Sequence, residues 1–285
     1  MSMIKLLGKT KIEGKTIFET GPQAPAFAPT DISGLQLWLD AADSSTLYNA
    51  TVGGSLVTTD GSAVARWADK SGNNRHATQT TANARPLLKT AVKNGRNGLR
   101  FDGTNDSLSC GDVCDLGTNS AYMFVVARYL NSAGGTLLGK SRASGLIGRY
   151  FLTRAIRSGN LSLNTTVAPN GSTAVDAFTQ DTDSTNYRLI NGQIKRAAGT
   201  SASSVLLKTN GTLKNSVFYT DSMSSYNTTD LLFIGAYANS SGSVASSSFI
   251  NADICEVLLY ITPSFLSETS ITNIEAYLNT KWALY

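Results

Sequence analysis

The chain has 285 residues, 41% hydrophobic and only 15% charged, and its 24 Lys and Arg against 20 Asp and Glu leave a net charge of +4. Ser, Thr and Asn number 33, 32 and 21, which excludes coiled coils and helix bundles, built from Ala, Glu, Lys, Leu and Arg, and suits short strands joined by turns. No run of about 18 apolar residues is present, so no helix of this sequence spans a membrane, and 3 cysteines are too few for a disulfide scaffold and read as buried free thiols.

In chain order, residues 1–30 read as an arm. The apolar stretch from Ile4 to Leu7 is too short for a signal peptide. Strand-like pieces at 4–7 and 12–18 are too small to fold alone. Ile4, Leu6, Ile12, Lys15, Ile17 and Phe18 are the residues this arm offers to a neighbouring subunit's sheet edge by strand addition. Lys5, Lys9, Lys11 and Lys15, against Glu13 and Glu19, add attraction to an acidic shell. Residues 21–29 hold three of the 6 prolines and read as an extended linker, because proline fixes φ and removes a donor. A folded domain is expected at 31–285, a length that all-β sandwiches often use in one unit.

Beyond residue 31 the pattern is strand after strand. Leu35, Leu37 and Leu39 alternate with polar or bulky neighbours at period 2. Further strands are expected at 98–101, 121–129, 145–152, 160–166, 186–190, 231–236 and 249–261. Turns are expected at 71–74, Asp102-Gly103, Asn191-Gly192, Asn210-Gly211 and Ser241-Gly242. Many strands with Gly/Asn turns and no strand–helix alternation predict an all-β sandwich or jelly roll of antiparallel sheets. One helix closes the chain, started by Pro263 and Ser267, with Ile271, Ile274, Leu278 and Trp282 on one face.

Motifs for chemistry are thin. Gly8 and Gly14 bracket five residues where a phosphate loop needs four, so no nucleotide site is expected. Asn251, Asp253 and Glu256 are spaced like the carboxylates of sandwich-fold glucanases, with a bulge needed to bring the last onto the same face. Asn251 stands where a nucleophilic carboxylate is required. His76, the single histidine, lies in a turn and serves no triad; with Cys110, Cys114 and Cys255 it matches no zinc spacing. Asp102, Asn105 and Asp106 place three oxygen side chains in one turn, a candidate calcium site, although Asp and Asn favour turns without any metal. Between 116 and 175 there is no Asp or Glu, while Arg128, Lys140, Arg142, Arg149, Arg154 and Arg157 fall there. Gathered on one face, they form a positive patch for an acidic partner or ligand.

Several segments together resemble a known domain type. They are 35–43 (Leu-Gln-Leu-Trp-Leu-Asp-Ala-Ala-Asp), 66–73 (Arg-Trp-Ala-Asp-Lys-Ser-Gly-Asn), 76–79, 98–103 (Gly-Leu-Arg-Phe-Asp-Gly), 252–260 (Ala-Asp-Ile-Cys-Glu-Val-Leu-Leu-Tyr) and the closing helix. In this order they resemble the concanavalin A-like (laminin-G/pentraxin-like) jelly-roll domains of bacteriophage virion proteins and bacterial surface proteins. The resemblance covers residues 31–285. It implies two curved antiparallel sheets and a non-catalytic module that binds glycans or proteins, often on a virion. The leading expectation is therefore a non-enzymatic structural virion protein, assembled in the host cytoplasm as a homo-oligomer: a capsid decoration, head-fibre or tail component attached to other virion proteins through its arm. The alternative is a glycan-binding receptor-recognition or adhesion module, which a row of exposed aromatics over a sheet favours. The third is a carbohydrate hydrolase, which a carboxylate pair in such a groove favours.

Overall fold

The structure, a computed structural model, describes residues 10–12, 15–17, 27–140, 149–168, 174–238 and 248–285. Strands β1 (Thr10–Ile12) and β2 (Lys15–Ile17) form a two-stranded antiparallel ribbon, with Thr10 opposite Ile17, separate from the two large sheets. There follow β3 (Leu35–Asp40), β4 (Leu47–Tyr48), β5 (Arg66–Trp67), β6 (Ala77–Thr78), β7 (Leu87–Lys93) and β8 (Arg96–Asp102). Then come β9 (Leu108–Gly111), β10 (Ser120–Tyr129), β11 (Gly135–Lys140), β12 (Tyr150–Arg157), β13 (Asn160–Val167) and β14 (Val175–Gln180). The chain ends with β15 (Arg188–Lys195), β16 (Gly199–Thr209), β17 (Thr212–Asp221), β18 (Leu232–Ile234), β19 (Asn251–Thr262) and α1 (Glu268–Trp282).

The strands make a jelly-roll β-sandwich with antiparallel pairing throughout. The first sheet runs β17-β16-β15-β10-β19-β8-β7, with β3 beside β19 in line with β8. The second runs β14-β13-β12-β11-β18-β9-β6-β5-β4. Met123, Val125 and Ala127 of β10 point between the sheets, with Leu37, Val257, Leu152 and Leu163. Tyr122, Phe124 and Val126 point the other way, into a second cluster beneath α1. Strand β10 is thus buried on both faces, which is why its sequence is a continuous apolar run rather than an alternation.

Helix α1 lies on the outer face of the first sheet. Ser267 caps it, its Oγ accepting the Ser270 N–H at 3.0 Å, and Ala283 ends it in a left-handed conformation, φ 50°. Ile271, Ile274, Leu278 and Trp282 are fully buried, each burial stabilising by about 1.5–3 kcal/mol.

Three expectations are corrected. Asn191-Gly192 is no turn but the middle of β15. The Asn191 amide donates to Glu275 Oε1 at 2.9 Å, and a Cβ on Gly192 would meet Thr165 Oγ1 at 2.7 Å, so the glycine serves close packing between the sheets. Leu35 does not share a face with Leu37 and Leu39: a bulge at Gln36 turns it into the cluster beneath the helix. Residues 27–29, the end of the stretch read as linker, pack on the body. Pro29 is buried and its carbonyl accepts the Tyr260 hydroxyl at 2.9 Å, and Phe27 lies against Tyr277. The Asn210-Gly211 turn is present, both residues at positive φ (48° and 71°) between β16 and β17. Of the strand expected at 145–152, residues 145–148 lie outside the described residues, as does the Ser241-Gly242 turn.

Candidate functional site

A sandwich has two outer faces, and here one is closed. The bulge that the Asn251, Asp253 and Glu256 spacing requires is present: Val126 opposes Glu256 and Ala127 opposes Ile254, leaving Cys255 as the extra residue. Asp253 and Glu256 consequently share the outer face of the first sheet, but both are fully buried. Glu256 accepts from Trp38 Nε1 (2.9 Å), Tyr277 OH (3.0 Å) and Trp282 Nε1 (2.6 Å), and Lys281 Nζ lies 2.8 Å away. Lys281 also bridges to Asp40 at 2.7 Å, and Lys70 to Asp40 and Asp43 at 2.9 and 2.8 Å. Burial, then the Asp40 charge, pushes the Glu256 carboxyl above its ordinary range. Asp253 takes a two-pronged bond from Arg100 (2.7 and 3.0 Å), with Arg128 at 2.8 Å and Tyr187 OH at 2.7 Å. Burial pushes Asp253 up, but these donors outweigh it and hold the carboxyl below the usual range. Both groups are spent on holding elements together.

The outer face of the second sheet is where side chains remain accessible. Phe151, Thr153, Ala155 and Arg157 of β12 project there, because Leu152 between them fills the core. Phe151 stacks nearly parallel on Tyr237, ring centroids 6.4 Å apart and planes 20° apart, and both are half-buried. Gly139 lies opposite Phe151 in β11; a Cβ there would come within 2.9 Å of the Phe151 Cβ, so the glycine makes room for the ring. Around the pair lies a cavity of 220 Å³ bounded by Thr136, Arg149, Phe151, Thr153, Ala155, Arg157 and Tyr237. A second, of 450 Å³, shares Thr136, Thr153, Ala155 and Tyr237 and continues past Gly134, Gly135, Ile156 and Ser248. No carboxylate borders either cavity among the described residues. The aromatic pair offers a stacking surface with arginines at its edge, while the Thr136 and Thr153 hydroxyls are buried and spent on each other and on the Gly135 carbonyl.

Of the six cations expected on one face, the structure brings two to this face, while a third, Arg154, borders a cavity with its guanidinium turned inward over Tyr129. Arg149 and Arg157 border the smaller cavity and Arg154 the larger. Arg157 Nε donates to Asp176 at 2.9 Å. Arg154 is fully buried, its guanidinium 3.8 Å over the Tyr129 ring and donating to the Asn131, Ala133 and Asp183 carbonyls. Burial holds both Arg149 and Arg154 below the ordinary guanidinium range. The others lie apart: Arg128 is on the first sheet with Asp253, Lys140 is fully buried against Asp112 and Asp115 at 2.7 and 3.2 Å, and Arg142 is outside the described residues. Phe151 and Tyr237 escaped the sequence reading. Phe151 lies between core residues in one strand, and Tyr237 reaches it from after β18, a pairing without a local signal.

The other candidate residues have structural partners. Asp102 Oδ1 accepts the N–H groups of Thr104, Asn105 and Asp106 at 2.7, 3.1 and 3.3 Å, and Asp106 Oδ2 accepts the Asp102 N–H at 3.0 Å. These carboxylates therefore shape their own turn. Among the described residues no group of three His, Cys, Asp or Glu is placed to hold a metal. Burial, then the Asp102 charge, pushes Asp106 up to about 7. His76 Nδ1 accepts the Asp69 N–H at 3.0 Å. Cys110, Cys114 and Cys255 are free and buried, and burial pushes the Cys114 thiol up to about 11. In the arm, Ile12, Lys15 and Ile17 fall within the β1–β2 ribbon, while Ile4, Leu6 and Phe18 lie outside the described residues. A further groove of 660 Å³ runs beside α1, bounded by Phe27, Arg96, Asn273, Tyr277, Thr280 and Lys281. Among the described residues no helix is long and apolar enough to cross a membrane.

The architecture defines an all-β jelly-roll sandwich. No family model and no curated protein matches the chain. Among solved structures it is similar to the binding domain of botulinum neurotoxin serotype D, at 13% identity over 86% of this chain and 52% of that one, TM-score 0.52. A botulinum neurotoxin type C structure, concerned with cell entry dependent on two ganglioside molecules, matches at 13% over 87% and 52%, TM-score 0.47. Domain 4 of an extracellular arabinanase from Geobacillus stearothermophilus, in complex with arabinotriose, matches at 13% over 76% and 100%, TM-score 0.46. The chain spans about half the length of the neurotoxin chains it matches. At this identity the likeness is one of fold.

Proposed function

We propose that this chain is a non-catalytic glycan-binding module that recognises a cell-surface or other extended carbohydrate on the outer face of its second sheet. The carrying observation is the stacked Phe151–Tyr237 pair, partly buried beside two cavities that share four lining residues on the face that α1 leaves open. Sugar rings present flat C–H faces to aromatics, and the Phe151–Tyr237 pair supplies such a stacking surface. A jelly roll shared with a neurotoxin binding domain supports the reading. The buried, paired state of Asp253 and Glu256, with no carboxylate bordering the cavities among the described residues, supports recognition over hydrolysis. The test is a glycan array probed with the full chain and with Phe151→Ala. Binding by the native chain that falls about tenfold or more in the folded variant upholds the proposal; a blank array, or equal binding by both, refutes it.

A second reading concerns how the module is presented. Among the described strands, β1 and β2 pair only with each other, which favours an arm available to an outside partner. In this reading the arm attaches the sandwich, as a homo-oligomer, to a larger particle such as a virion, and the second sheet faces outward. Deleting residues 1–20 tests it: the sandwich is expected to keep its melting midpoint while assembly mass falls. Unchanged assembly contradicts the tether.

A further inference from the structure

We infer that the ligand of this face is an extended, ribbon-like oligosaccharide whose sugars are joined through equatorial bonds, one stacked on Phe151, one on Tyr237 and the next in the larger cavity. The inference rests on the glycan-binding reading and adds the shape and length of the chain. The two ring centroids are 6.4 Å apart and the ring planes only 20° apart. Rings in contact, with planes about 3.5–4.0 Å apart, are then displaced sideways by about 5 Å. Most of each face is left uncovered by the other ring, and the pair forms a step that seats a sugar on each. That displacement is close to the advance of one pyranose along an extended chain. The small angle between the planes asks that successive sugar faces also lie nearly parallel. Equatorial bonds at both ends of each pyranose hold a chain in such a flat ribbon. An axial bond turns each ring away from the plane of the last and coils the chain, so that it meets one aromatic ring and leaves the other.

The cavities set the order along the chain. The smaller borders both rings, and the larger borders Tyr237 but not Phe151, so the chain runs from Phe151 over Tyr237 into the larger cavity. At 220 Å³ the smaller falls short of an ordinary ligand pocket, about 300–1,000 Å³, and binding is therefore spread over both. The rings stand where the fold puts them. Phe151 is fixed in β12 between Gly139 of β11 and Thr166 of β13. The Tyr237 N–H donates to Ser248 Oγ at 3.1 Å, and Ser248 Oγ donates to the Tyr237 carbonyl at 3.3 Å. A platform already in place needs little ordering on binding. Arg157 is held by Asp176 and Arg154 lies over Tyr129, so ring geometry rather than charge sets the preference.

The experiment is a length series, monosaccharide to hexasaccharide, of β-1,4-linked glucose, mannose, xylose and N-acetylglucosamine chains beside α-1,4-linked glucose chains, titrated with the full native chain, Phe151→Ala and Tyr237→Ala. At least one β-linked series is expected to bind, with affinity rising about tenfold from one sugar to two and again from two to three, then levelling. In either variant, with a native melting midpoint, trisaccharide affinity is expected to fall about tenfold and one of the two steps to disappear. Should Tyr237→Ala not fold, Phe151→Ala and the native length series decide. Coiled α-linked chains bound as tightly as β-linked ones, or an affinity already complete with a single sugar, overturn the inference and leave glycan recognition standing. Binding on the broad glycan array but to none of these chains does the same. A blank on both overturns the inference together with the reading beneath it.

Discussion

Asp106 and Asp253 are both buried carboxylates, yet their surroundings push them in opposite directions. Asp253 has two arginines and a tyrosine hydroxyl as donors; Asp106 has one backbone N–H and the Asp102 charge beside it. The sign for stability follows. Asp106 goes from 3.8 in the open chain to about 7 in the folded one, so the folded state keeps this proton to higher pH. Its contribution is greatest below about pH 4 and is lost as pH rises towards 7. Asp106→Asn is therefore expected to be more stable than the native protein at pH 8, by roughly 2–4 kcal/mol, and equally stable near pH 4. Urea midpoints at the two pH values check this, and a difference that does not change with pH contradicts it. For Asp253, held low, the sign reverses: its contribution is present above the ordinary carboxylate range and is lost on acidification. The spacing of Asn251, Asp253 and Glu256, including the need for a bulge, was legible in the sequence. What covers them was not, because the cover is a helix whose docking depends on a non-local surface.

At the scale of elements, α1 is the best-read part of the chain. Ser267 as its start and Ile271, Ile274, Leu278 and Trp282 as its buried face follow from capping and period. Its polar contacts were illegible. Glu275 meets Lys208 at 2.7 Å from β16, and Lys281 closes onto Asp40 and Glu256. Trp282→Ala is expected to cost about 3–5 kcal/mol, because it empties a fully buried site and withdraws one donor from Glu256. Trp282→Phe should recover part of this by refilling the site without the N–H. Denaturant unfolding checks both, and an unchanged midpoint for Trp282→Ala contradicts the packing. Strands β16 and β17 went unread: β16 opens on a Ser-rich stretch, 199–204, with little hydrophobic pattern. What holds it is pairing with β15 and β17, which propensity does not report.

For the whole molecule, the segments that carry the resemblance turn out to be its fasteners. The Asp69 carboxylate accepts from the N–H groups of Trp38, Ser71 and Arg75, and Asn73 reaches the Leu35 carbonyl at 3.0 Å. Together they sew the 69–75 loop to β3. Such motifs announce a fold, and so the all-β sandwich was readable. The candidate binding face was not, because its parts come from β11, β12 and the segment after β18, and no local pattern joins them. That face is the account's central claim, and hydrogen–deuterium exchange with and without an array-selected oligosaccharide tests it most directly. New protection is expected at 149–157 and around Tyr237. Protection confined to the groove beside α1, at 273–281, would contradict the claim.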